Sequence, residues 1–192
     1  MFVKFTICFM FLFQAAYAAE FSADLAFISK ETREKGKIAV TDEKVMVKTG
    51  EIITIARIDK NVMWVVMPKG KMYIGMPLQL QNIFIGTDNI PGELERKAAG
   101  NEIVDGQNTD KYRITYQMED KVYTAFLWML PGINIPVKKA AEDGSWVIKY
   151  TKIFVVAQPD ELFEVPAGYQ QFDTNMRSLS GTGGIFGEKK PQ

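Results

Sequence analysis

The chain has 192 residues, with 23 lysines and arginines against 23 aspartates and glutamates, no histidine and a single cysteine. Without histidine, the commonest general base, the usual nitrogen ligand of zinc and copper, and the Ser-His and Cys-His nucleophile pairs are excluded. No catalytic residue, metal site or cofactor is therefore assigned, and the interspersed charge offers no basic stripe to nucleic acid and no polybasic block to an anionic membrane.

The N-terminus reads as an export signal. Lys4 supplies a positive start, residues 5–13 are an apolar run, and Ala16-Tyr17-Ala18 is a small-x-small cleavage site before Ala19. The run is too short to span a bilayer, which takes about 20 apolar residues. Cys8 sits inside it, followed by Phe9 and Met10, without the small residues that lipid attachment needs. The expectation is a monomer released into the periplasm after loss of residues 1–18, not lipid-anchored. That mature chain has no cysteine, so its stability rests on the core alone. A domain near this size buries roughly 70% of its unfolded surface, and one domain, residues 19–172, is the natural count.

The pattern after cleavage is a meander of strands. Lys37-Ile38-Ala39-Val40 and residues 44–48 flank the turn Thr41-Asp42-Glu43, and residues 51–58 and 62–67 flank Asp59-Lys60-Asn61. Pro68-Lys69-Gly70 turns the chain into Lys71-Met72-Tyr73-Ile74. Residues 92–99 carry the one run of helix-favouring side chains and predict a helix ending at Gly100. The apolar residues Leu78, Leu80, Ile83, Phe84 and Ile85 fit a strand, a short helix or a flap. Strands resume at Glu102-Ile103-Val104, and Asp105-Gly106 turns into residues 111–117, where Tyr112, Ile114 and Tyr116 alternate with polar residues. A hairpin leads to residues 122–129, and Asp143-Gly144 joins residues 135–141 to 145–156. Pro159-Asp160-Glu161-Leu162-Phe163 predicts a short helical turn. Residues 173–192, rich in glycine and serine with a charged end, predict a disordered tail.

Several strands are apolar on both faces, most clearly residues 62–67 and 122–129. An antiparallel sheet usually keeps one face wet, so the second apolar face needs a cover. A strongly curved sheet whose concave side encloses a cavity is one solution; a filled β core is the other.

The second half carries a familiar series: Asp105-Gly106-Gln107-Asn108-Thr109-Asp110-Lys111-Tyr112-Arg113-Ile114, Trp128, Ile135-Pro136-Val137-Lys138, Asp143-Gly144 and the closing Leu162-Phe163-Glu164-Val165-Pro166-Ala167-Gly168-Tyr169. It resembles the exported relatives of the outer-membrane lipoprotein carrier LolA, in particular the branch that ends in this signature, over residues 21–172. The resemblance implies a mainly β, unclosed half-barrel of curved antiparallel sheet with a short helical or looped lid, used to shield acyl chains in the periplasm. It implies no enzyme activity. Expected partners are lipid or lipoprotein acyl chains and envelope membrane proteins.

The candidate lining residues are Trp64, Met67, Met72, Phe126 and Trp128, each large and in a strand with two apolar faces. Met63, Met67, Met72 and Met76 also admit a soft-metal reading, since thioether sulfur selects Cu(I). By parity Met63 and Met67 share a face, while Met72 and Met76 fall across a turn; methionine equally fills cores and adaptable binding surfaces. The acidic pairs Glu93 and Glu95, Glu119 and Asp120, Glu142 and Asp143, and Asp160 and Glu161 read as solvated turns. In the closing signature, Pro159 and Pro166 bracket a short element and Gly168 frees Tyr169 to swing back onto the sheet. A structural or partner-binding envelope module with a self-filled core is the alternative function.

Overall fold

The structure, a computed structural model, describes residues 20–79, 88, 90–133 and 135–172. The expected signal segment 1–18, the tail 173–192 and most of the apolar piece around residues 80–85 lie outside the described residues. Twelve strands form one sheet: β1 (Phe21–Ser29), β2 (Arg33–Val40), β3 (Lys44–Thr49), β4 (Ile52–Arg57), β5 (Val62–Met67), β6 (Met72–Pro77), β7 (Glu93–Val104), β8 (Gln107–Met118), β9 (Lys121–Met129), β10 (Pro136–Ala141), β11 (Trp146–Val155) and β12 (Gln170–Gln171).

Two antiparallel meanders build it. Strands β1 to β6 pair in sequence order, as do β7 to β11, and the two are joined where β1 pairs with β11, from Phe21 opposite Val155 to Ser29 opposite Trp146. The expected turns connect β2 to β3, β4 to β5, β5 to β6, β7 to β8, β8 to β9 and β10 to β11. The sheet does not close; β7 forms one edge, and at the other the two-residue β12 adds in parallel to β6. This is the expected open half-barrel.

The helix expected at residues 92–99 is instead the start of β7. Pairing runs along β8 from Glu93 opposite Tyr116 to Val104 opposite Gln107. Helix propensity differs by only some tenths of a kcal/mol per residue, and a ladder of this length outweighs it. Gly100, at φ +90°, marks an irregularity in the ladder between Ala98 and Asn101, not a helix end. Strand β1 was not foreseen either, because Ser22, Ala23, Asp24 and Ala26 dilute its β-favouring residues.

The two faces are covered differently. One carries a large core of Phe21, Leu25, Ile38, Val45, Ile148 and Tyr150. Ile114, Ala125, Leu127 and Met129 extend it on the second meander, with Trp146 packed against both groups. Residues 78–92 link β6 near one edge to β7 at the other. Leu78 packs on the first group and Ile90, 1% exposed, belongs to the second, so these two residues of the link lie on this face. We call it the inner face. Gly92 makes the link's entry into β7 possible: at φ +75°, a Cβ there would stand 2.0 Å from the Gln117 carbonyl oxygen.

The outer face of the first meander is covered by a later segment of the chain, residues 159–172. Ala39, Ile55 and Val66 bury Phe163, which is 0% exposed, while Trp64, Tyr73, Val165 and Tyr169 pack around them. The 3₁₀ turn Asp160–Phe163 appears where a helical turn was expected. Gly168, at φ +82°, lets the chain bend so that Tyr169 lies on the sheet. The segment then runs into β12, where Gln170 N–H donates to the Lys71 carbonyl and Phe172 N–H to that of Tyr73.

Candidate functional site

The register across β3, β4, β5 and β6 decides which side chains share the inner face. Val45 lies opposite Ala56, and Ala56 opposite Met63; both Val45 and Ala56 belong to the inner core. Parity then places Val47, Thr49, Ile52, Thr54, Val65 and Met67 on the same side. The Pro68–Gly70 turn sets Met67 opposite Met72, Val65 opposite Ile74 and Met63 opposite Met76. The turn therefore brings all four methionines onto one face.

Burial varies along this surface. Val45, Ala56 and Met63 are 4%, 4% and 7% exposed, whereas Val47, Val65, Met67, Met72 and Ile74 are half-buried and Ile52 is 49% exposed. The inner face is thus packed at the end of β5 nearest Val62 and less buried at the end nearest the Pro68–Gly70 turn. Six apolar side chains from four strands meet there with no described segment lying over them, and the patch is the candidate ligand surface.

The five residues singled out in the sequence do not line one cavity. Met67 and Met72 belong to the inner patch. Trp64 lies on the outer face among Phe163, Tyr73 and Tyr169, with the Lys60 ammonium 5.6 Å from its ring. Phe126 and Trp128 are also outside, in a cluster with Val104, Val137 and Ala140. Lysines cap these two rings: Lys111 stands 4.7 Å from Phe126 and 4.9 Å from Trp128, and Lys138 4.0 Å from Trp128. Trp128 Nε1 donates to the Glu102 carboxylate at 2.9 Å, and that hydrogen bond, with a second from Lys111, holds the carboxyl below its ordinary range. These aromatics are spoken for by their own neighbours.

Two buried cations were not legible in the sequence. Arg57, 5% exposed on the outer face, donates through Nε and Nη2 to both Asp59 carboxylate oxygens at 2.8 and 2.6 Å, and through Nη1 to the Phe163 carbonyl and the Glu164 carboxylate. The Arg57 hydrogen bond holds the Asp59 carboxyl low. Burial pushes Glu164 up, but hydrogen bonds from Lys60 and Arg57 outweigh it and hold that carboxyl low too. The Glu164 of the closing signature thus fastens the covering segment to β4. Lys139, 0% exposed, lies on the inner face between Leu127 and Ile148. Burial lowers its pKa to about 7, against a rise from the nearby Asp88 carboxylate, with Arg96 lowering it further.

Among the described residues no three His, Cys, Asp or Glu side chains group as a metal site, and no helix is long and apolar enough to cross a membrane. The methionines form two cross-strand pairs four residues apart, about 13 Å at 3.3 Å per residue. Each position therefore offers two thioethers.

No protein-family model matches the chain, and no curated protein matches it in sequence. Solved structures do. A crystal structure of MucB overlays with a TM-score of 0.54 at 12% identity, covering 80% of this chain and 59% of that one. The MucA/MucB complex of Pseudomonas aeruginosa gives 0.50 at 12% identity, over 77% of this chain and 56% of the other. An outer-membrane lipoprotein-sorting protein domain from Vibrio parahaemolyticus overlays more loosely, at 0.35 and 8% identity, over 75% and 89%. The fold is LolA-like. At these identities the likeness is one of fold, and the chain spans less than two thirds of the MucB chains it matches.

Proposed function

We propose that this protein is a non-enzymatic envelope protein that binds an acyl chain, of a lipid or a lipoprotein, on the inner face of β3 to β6. The observation that carries the reading is the uncovered patch of Val47, Ile52, Val65, Met67, Met72 and Ile74, continuous with a core that is otherwise buried. An acyl chain laid on it leaves water at roughly 25 cal/mol per Å² of apolar surface removed. Methionine suits such a surface, because its unbranched side chain adjusts to an irregular guest. Trp64, Phe126 and Trp128 have no part in this site.

Export of the chain as a periplasmic monomer without a lipid anchor, beginning at Ala19, belongs to the same proposal. It rests on Lys4, the apolar run and Ala16-Tyr17-Ala18. Intact mass of the exported protein tests it; retention of residues 1–18 or a lipid adduct overturns it.

The decisive experiment is lipid extraction and mass spectrometry of gently purified protein, followed by fluorescent fatty-acid titration of the parent and of Val65→Glu. Co-purifying lipid, and loss of titratable binding in a folded Val65→Glu, support the reading. A parent that carries no lipid and binds no fatty acid sinks it. That outcome favours a partner-binding module with a self-filled core, a reading that the fold shared with MucB, solved in complex with MucA, also suggests. Stabilisation of the parent by Cu(I) alone would favour the thioether-metal reading.

A further inference from the structure

The patch concentrates an oxidisable side chain where the ligand would lie. Of the ten methionines in the sequence, four fall on β5 and β6 on the inner face. They differ in access. Met63 is 7% exposed, whereas Met67, Met72 and Met76 are half-buried. Met72 is turned back over the Pro68–Gly70 turn: a Cβ built on Gly70 would lie 2.8 Å from its Cε and 4.0 Å from its Sδ. Lys69 and Gly70 in that turn are exposed, so the Met72 sulfur sits at the rim of the patch, with Met67 directly opposite in register. Elsewhere Met129 is 4% exposed in the inner core of β9, and Met118, 45% exposed, stands at the tip of β8, far across the sheet.

We propose that Met67 and Met72 form an oxidation switch on the ligand surface: oxidation of their thioethers to sulfoxides by a peroxide-class oxidant expels the acyl chain, and a bound chain shields the same sulfurs. The step balances with hydrogen peroxide. A sulfur lone pair attacks one peroxide oxygen, the S–O bond forms as the O–O bond breaks, sulfur loses two electrons and the peroxide leaves as water. The product replaces a soft apolar surface with a strong dipole. Val65, Ile74 and Ile52 around the pair are hydrocarbon, so a sulfoxide facing an acyl chain there would lose its water without gaining a hydrogen-bond donor. In the empty protein a sulfoxide oxygen can reach water, because both side chains are only half-buried. Since the chain and the added oxygen compete for one surface, the linkage is reciprocal: oxidation weakens binding, and binding slows oxidation.

This proposal rests on the acyl-chain reading above, and the experiment separates the two. The full chain is treated with hydrogen peroxide with and without a saturating long-chain fatty acid. Sulfoxides are located by peptide mass spectrometry and affinity is read by fluorescent fatty-acid titration. Expected are oxidation of Met67 and Met72 that the fatty acid slows several-fold, oxidation of Met118 that it leaves alone, and an affinity lowered by about tenfold or more. Methionine sulfoxide reductase should restore the affinity. The double variant Met67→Leu, Met72→Leu, close in volume, should lose less than about twofold of its own untreated affinity on the same treatment. Full oxidation of both residues with unchanged affinity overturns the switch, as does equal sensitivity of the double variant. If the untreated parent binds no fatty acid, the site and its regulation fall together; if it binds and oxidation changes nothing, only the regulation falls.

Discussion

Val65 and Val66 are neighbours in β5 that point to opposite sides of the sheet, and their surroundings could hardly differ more. Val66 is 0% exposed beneath Phe163 and the segment that carries it, while Val65 is half-buried in a patch with nothing described above it. A strand apolar on both faces needs two covers. Here residues 159–172 provide one, and among the described residues nothing provides the other at this end of the sheet. What distinguishes a binding surface from a core face is therefore not its composition but whether a later stretch of the same chain returns to cover it.

The sharpest way to break that contrast is to place a carboxylate on each side in turn. Val66→Glu should abolish cooperative folding, because it forces a charge into a site with no room and no partner. Val65→Glu should melt within about 1 kcal/mol of the parent, as partly exposed substitutions do, and lose fatty-acid binding. Equal destabilisation of both, read by urea unfolding, would mean that the inner patch is closed and the contrast false.

The outer cover can also be weakened from above. Phe163→Ala removes a fully buried ring and should cost about 3–5 kcal/mol while leaving the inner register intact. Trp64 packs against the same cluster, so a rise in its accessibility to a fluorescence quencher should accompany the loss.

A smaller effect is expected from Arg57→Met, which removes charged hydrogen bonds to Asp59 and Glu164 for a cost of about 2 kcal/mol. Both carboxyls have lowered pKa values in the folded protein. Their contribution is complete above the ordinary carboxylate range and is lost as the pH falls through the lowered folded values. The gap in urea midpoint between parent and variant should therefore be widest at neutral pH and narrow below about pH 4. A gap independent of pH would mean that Arg57 acts only by packing.

Lys139 gives the smallest shift and one of opposite sign. Its folded pKa, about 7, lies below the ordinary lysine value of 10.5, so between these two values the unfolded chain binds more protons. Parent stability should rise with pH across that window. Lys139→Met should flatten this rise and be the more stable protein at pH 6, by on the order of 1 kcal/mol. A parent whose thermal midpoint does not climb between pH 7 and 10 would contradict the assignment.

The meander was legible because its turns carry their own chemistry: Asp105-Gly106 and Asp143-Gly144 place glycine at φ +82° and +71°, and Pro68-Lys69-Gly70 starts with a fixed φ. Strand β7 was misread because Glu93, Leu94, Glu95, Arg96 and Lys97 favour a helix when considered alone; only pairing with β8 makes them a strand. The faces were illegible for a different reason. Trp64 and Met67 looked equivalent until the segment carrying Phe163 and Tyr169 covered the one and not the other, and nothing local to β5 encodes that choice. The methionine grouping, by contrast, was available. A tight turn at Pro68–Gly70 pairs Met67 with Met72, and counting outward from it pairs Met63 with Met76. Lys139 had no such signal, since a lysine in a strand ordinarily reads as its wet side.

The join between β1 and β11 has a consequence for how the molecule comes into being. Each meander is assembled from neighbours along the chain, contacts of the kind that form quickly. Yet Phe21 waits for Val155, and Leu25 for Tyr150, across nearly the whole length of the domain. As the chain emerges N-terminus first, β1 to β6 can complete while the free side of β1 stays an open edge carrying Phe21, Leu25 and Phe27, the kind of edge that recruits other chains. The middle of the finished sheet is thus made late, and newborn chains are exposed to sticking together until residues 146–155 arrive to fill the gap.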